Sequence, residues 1–259
     1  MLDEIVEAVF GVDFKIGRTV RDTLFQPLRV GEAELDPENK TYTPQIRLFI
    51  ALFGLQLFAF SFFKLFDFLS LETLFPSEIA LTAVTAELEA RGSDVETANQ
   101  AIKDWYNYSI WPATISGSLI YVLLMKAYRP SLRFSEHLRL YLLPSNAAMV
   151  WMTLLFITAL ILARESWLVV ATSFAGMLIF FVYTVPIIAR WHATTRLGLG
   201  LKVFGLILAA IPSLIITLTV AYTMMSYGMH RETGLGYYEG LALAFQAELD
   251  AVETQSKTD

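Results

Sequence analysis

Apolar residues gather into long runs along this chain, separated by shorter polar segments. Five runs stand out, at about 48–68, 110–127, 147–163, 167–189 and 203–226. Each comes close to the roughly 17–25 residues with which an α-helix crosses about 30 Å of hydrocarbon. The pattern predicts an all-α membrane protein, a bundle of about five transmembrane helices over residues 47–227.

The segments between the runs carry their own periodicities. In residues 1–46, Phe14, Ile16, Val20 and Leu24 form a ragged apolar face opposite Lys15, Arg18, Arg21 and Asp22. That is the pattern of an N-terminal amphipathic helix lying in the membrane interface. Pro27 and then Asp36-Pro37 should end it, with a surface loop to Asn39. Residues 69–108 form an extramembrane insert that reads as a helical hairpin: Ser77 to Ala90, a break at Arg91-Gly92-Ser93, and Asp94 to Tyr108. Trp105, Tyr106, Tyr108 and Trp111 mark its exit as an interfacial aromatic belt. Residues 128–145 read as a basic amphipathic segment ended by Pro144, and Arg190 to Gly200 as a basic loop. The polar tail, 228–259, holds one weak amphipathic stretch, Leu241 to Val252.

Composition agrees with a chain dissolved in lipid. Of 259 residues 55 % are hydrophobic and 17 % charged, and the mean hydropathy is +0.52. The absence of cysteine excludes disulfides, thiolate metal sites and thiol nucleophiles. Asp3, Glu4 and Glu7 stand where a signal peptide would be cationic, so targeting is expected to come from the first span.

The net charge of −6 hides a segregation of signs. Thirteen of the nineteen Lys and Arg fall in the N-terminal segment, around 128–145, and in the 190–202 loop, all on one side of a five-span topology. The positive-inside bias then puts the N-terminus in the cytoplasm and the C-terminus and the 69–108 insert on the opposite face.

Short motifs resemble a family of uncharacterised bacterial polytopic membrane proteins, a domain of unknown function that a zinc ribbon often precedes. The first is Phe14, Arg18, Thr19, Thr23-Leu24 and Pro27, followed by Tyr42, Pro44 and Arg47-Leu48-Phe49. The others are Glu136-His137-Leu138 and the apolar fourth and fifth runs joined by a basic turn. The ribbon is lacking here. The resemblance implies a fold and the bacterial inner (cytoplasmic) membrane, and lends no reaction.

Candidate chemistry is sparse. Lys64 and Asp67 form the only ionisable pair within a run and could mark an intramembrane polar site, or simply snorkel at the boundary. Glu136, His137 and His192 share the basic side and could hold zinc or activate water, although nothing in their spacing brings them together. Arg18, Arg21, Arg129, Arg133, Arg139 and Arg196 make a basic collar suited to anionic lipid headgroups. Gly205, Ala209, Ser213, Thr217 and Ala221 recur every four residues, a stripe for close helix packing within the chain or for docking a second subunit. Pro186 and Pro212 should kink their helices. No phosphate-binding loop, nucleophile elbow or metalloprotease helix is present. The expected function is a non-catalytic accessory or scaffold subunit of a larger inner-membrane complex, partnered by membrane lipids and by other proteins, with no cofactor and no nucleic acid. The alternatives are a small transporter or lipid-handling protein, and a membrane-embedded enzyme built on Glu136, His137 and His192.

Overall fold

The computed structural model describes residues 14–38, 41–62, 69–162 and 166–256. Its helices are α1 (Phe14–Phe25), α2 (Pro27–Leu35), α3 (Gln45–Phe62), α4 (Leu71–Leu74), α5 (Glu78–Ala90), α6 (Val95–Tyr128), α7 (Phe134–Leu162), α8 (Ser166–Ile187), α9 (Arg196–Thr233) and α10 (Tyr237–Ser256). A π-helical turn, Ile188–His192, continues α8. No strand occurs among the described residues.

Among the described residues, three helices are long and apolar enough to cross a membrane: Val95–Tyr128, Phe174–His192 and Arg196–Thr233. That makes the chain a membrane protein. At about 1.5 Å per residue, α6 and α9 exceed the thickness of the hydrocarbon, so each carries polar turns beyond its apolar stretch. The second half of the insert and the second apolar run are thus one helix of 34 residues, α6. Pro144 lies inside α7 and does not end it. An internal proline costs a helix one hydrogen bond and about 3 kcal/mol. Around Pro144 every residue from Leu140 to Ala148 is buried, and that burial offsets the loss.

The chain divides into two compact units, residues 1–59 with 120–211 and residues 60–119 with 212–259. In the first, α7 packs along α8, and α1 and α2 pack on α7. Val30, Val122, Met125, Leu140, Leu143, Ile187, Ile188 and Leu206 fill its core. Pro27 opens α2 as its first residue, where a missing N–H costs nothing. The face of α1 turned inward is polar: Thr19, Asp22 and Thr23 are buried, while Arg18 and Arg21 are exposed.

In the second unit, α5 buries Ala80, Val84 and Leu88 at four-residue spacing against α10, which buries Gly240 and Ala244. Leu71, Phe75, Ile102, Met225, Met229 and Leu235 complete the core. The hairpin turns at Gly92, whose φ of 79° favours glycine, and Ser93 N–H bonds the Leu88 carbonyl to close α5. Ser77 flanks α5 without a side-chain cap, whereas Asp94 accepts the Thr97 N–H at 2.7 Å and starts α6. The segment expected as a polar tail is in large part the packed helix α10.

Candidate functional site: the buried imidazole pair and its collar

α7 begins at Phe134, and Arg133 is its cap residue. The Arg133 main-chain N–H donates to Glu136 Oε2, the return half of a capping box. Glu136 is thereby drawn to the helix start. His137, one residue on, points into the unit and is fully buried.

His192 reaches the same place from the π turn. The wider winding of that turn, closed by an i→i+5 bond from the Ala193 N–H to the Ile188 carbonyl at 2.8 Å, carries Trp191 towards Gly31 of α2 and His192 towards His137. His137 Nδ1 and His192 Nε2 lie 3.1 Å apart, with the rings tilted by 45°. His137 Nε2 is 3.1 Å from the Arg129 carbonyl, which can only accept. The proton of neutral His137 is therefore assigned to Nε2 and His192 Nε2 donates to His137 Nδ1, while no group meets His192 Nδ1 in hydrogen-bond geometry. Burial pushes the His137 imidazole below its ordinary range, and the Lys126 and Arg129 cations push the same way. The Arg129 carbonyl and the Glu136 charge pull it back in part.

Cations surround the pair and bind main-chain carbonyls. Arg129 donates to the Trp191 carbonyl at 2.6 Å, and Lys202 donates to those of Tyr128, at 3.2 Å, and His192. Lys126 bonds the carbonyls of Pro130 and Leu132, and Arg139 bonds that of Glu34 at 2.7 Å. Carbonyls at helix ends lack intrahelical donors, and positive charge there opposes the negative end of the helix dipole. Of the six collar arginines, Arg129 and Arg139 thus tie the unit together and Arg21 pairs with Asp22 at 2.7 Å, while Arg18, Arg133 and Arg196 are exposed.

A second polar cluster lies between α1, the start of α3 and α7. Thr19 Oγ1 accepts the Thr43 N–H at 2.9 Å, and Tyr42 donates to Asp22 at 3.0 Å. Asn146 Nδ2 donates to Gln45 twice, at 3.1 Å to its carbonyl and 2.8 Å to Oε1. Thr23 Oγ1, Thr43 Oγ1, Gln45 Nε2 and Asn146 Oδ1 are buried without a hydrogen-bond partner. Neither Gln45 nor Asn146 stands out in the pattern of the chain. A lone Asn inside the apolar segment 140–148 is the one available signal, since such a group needs a partner.

The small-residue stripe faces α6 within each unit. Gly205 lies against the Tyr128 hydroxyl, Ala209 and Ala221 are buried, and Ser213 donates to the Gly117 carbonyl at 2.9 Å. A side chain on Gly117 would meet Thr217. Lys64 and Asp67 lie outside the described residues.

The geometry brings His137 and His192 together and leaves Glu136 on its own helix start. Two imidazoles supply two of the four ligands that zinc takes. Among the described residues no group of three or more His, Asp or Glu gathers to hold a metal ion. No protein family, curated protein or solved structure matches the chain.

Proposed function

We propose that the chain is a non-catalytic accessory or scaffold subunit of a larger membrane complex. The observation that carries this reading is the use made of its polar side chains. The collar cations Lys126, Arg129, Arg139 and Lys202 bond main-chain carbonyls, Glu136 caps its helix, and the imidazoles bond each other and a carbonyl. Such groups fix a rigid body. Meanwhile Leu197, Leu201, Phe204, Leu208, Ile211 and Ile215 of α9 turn large apolar surfaces outward for lipid or for neighbouring helices.

In this reading α3 and α7 join α6, α8 and α9 to make five crossings, and α1 and α2 lie at the cytoplasmic surface. Arg18, Arg133 and Arg196 then meet anionic headgroups, each worth about 1 kcal/mol near the surface. The membrane would be the bacterial inner membrane, in keeping with the family resemblance. One observation favours a second reading, a small transporter or lipid-handling protein: the orphaned amide atoms Gln45 Nε2 and Asn146 Oδ1, with Thr43 Oγ1 two residues before Gln45, would suit a polar guest.

Gentle extraction from the native membrane followed by native electrophoresis tests the proposal. Co-migration with a fixed set of other proteins is the expected result. Migration as a monomer or small homo-oligomer overturns it and leaves the transport reading.

A further inference from the structure

Within the unit of residues 60–119 and 212–259, an open groove of about 560 Å³ runs between the first turns of α6 and the end of α9. Glu96, Gln100, Asp104 and Tyr108 follow one another at four-residue spacing and so share one face of α6. Trp105 forms its floor, with its ring seated against Gly228, where any side chain would strike the indole. Tyr108 and Tyr227 stand edge-on to that ring at 5.9 and 5.5 Å, which holds it in place. Arg231 and Glu232 of α9 make the other wall.

The signs along this groove are mixed in a useful way. Three carboxylates and the π-faces of Trp105 and Tyr108 attract a cation. A single guanidinium, Arg231, lies 3.9 Å from the Glu232 carboxylate in an exposed pair and keeps N–H donors for a phosphate. The position along α6 is equally informative. Tyr108 is 67 % exposed at the point where α6 turns apolar, the level at which Trp and Tyr meet headgroups. Its face continues into Ile115 and Leu119, both exposed, further along the helix axis.

We infer that this groove binds the headgroup of a zwitterionic aminophospholipid. The primary ammonium sits over Trp105 and hydrogen-bonds the carboxylates of Asp104 and Glu232. The phosphate meets Arg231, and the acyl chains run over Ile115 and Leu119. An anionic phospholipid gains only the Arg231 contact and is repelled by the three carboxylates. A small soluble amine gains nothing from the apolar continuation of the face.

Native mass spectrometry of the full chain in detergent, titrated with dihexanoyl phosphatidylethanolamine, tests the inference. Saturable binding of one lipid is expected, with dihexanoyl phosphatidylglycerol failing to compete. The double substitution Asp104→Asn with Glu232→Gln should weaken the binding about tenfold or more, the loss of charge-assisted hydrogen bonds. Arg231→Gln should weaken it separately while the melting temperature stays that of the parent. Equal binding of phosphatidylglycerol overturns the proposal, and so does indifference to both sets of substitutions. Soluble phosphoethanolamine binding as tightly as the lipid would overturn the assignment to a membrane lipid.

Discussion

The unit of residues 1–59 and 120–211 buries Thr19, Asp22, Thr23, Thr43, Gln45, His137, Asn146 and His192 among its apolar side chains. Among the described residues of the unit 60–119 and 212–259, buried polar groups are few, and each serves a nearby carbonyl: Ser109 that of Tyr106, Ser213 that of Gly117, Thr233 that of Met229. The buried side-chain atoms without partners among the described residues all lie in the first unit. Apolar burial is insensitive to direction, so a core like the second unit's derives its stability from area and fit. A core rich in hydrogen bonds gains less per group and demands one arrangement. The first unit therefore has the character of a fixed fitting and the second that of an ordinary packed domain.

The contrast breaks most visibly at Leu88, which is fully buried in α5. Leu88→Ala should cost about 2–5 kcal/mol through lost burial and the cavity left behind. Hydrogen exchange of the full chain in detergent should then quicken across α5 and α10 and stay unchanged in residues 134–148. A uniform response would show that the division into two cores has no energetic meaning.

Asn146→Ala probes the other side with a smaller effect. It strips Gln45 of both donors, and leaving buried acceptors unpaired costs about 1–3 kcal/mol. Exchange should quicken in residues 41–48. If the unfolding midpoint does not move, the network contributes nothing.

The smallest effect is in pH. Because His137 is held below its ordinary range, the unfolded chain takes up the proton first as pH falls below about 6.5, and the native state loses stability from there downwards. Glu239 in the second unit is held low by the Gly236 N–H and then by His230, so its contribution persists until the carboxylate range. Melting temperatures between about pH 7.5 and 5.5 should fall for the parent and fall less for His137→Gln. Identical slopes would remove the imidazole pair as their cause.

Much of this architecture was legible in the order of residues. The apolar stretches of α6, α8 and α9 announced themselves by length, and the hairpin turn by Gly92, where only glycine is at ease with a positive φ. α10 was harder to see as a packed helix, because it docks through Gly240 and Ala244 while its large apolar residues Leu241, Phe245, Leu249 and Val252 stand exposed. Its partners, Phe75 and Val84, lie far away in the chain. The polar face of α1 is a different case. The apolar residues of that helix are the visible signal, and the pattern does not tell that Thr19, Asp22 and Thr23 face inward, where Tyr42 and Thr43 meet the first two and Arg21 also bonds Asp22. The imidazole pair had no local signature. Its members are 55 positions apart, and an inserted residue in the turn after α8 sets the angle at which His192 arrives.

That inserted residue makes the turn Ile188–His192 a register device. Each residue of an α-helix rotates the next by about 100°, so the count of residues between α8 and Ala193 sets the direction in which Trp191 and His192 point. Replacement of one side chain by another leaves that count intact. Shortening the turn by one residue would swing both away from Gly31 and His137 together. Length, more than residue type, is the quantity that this stretch of chain has to preserve.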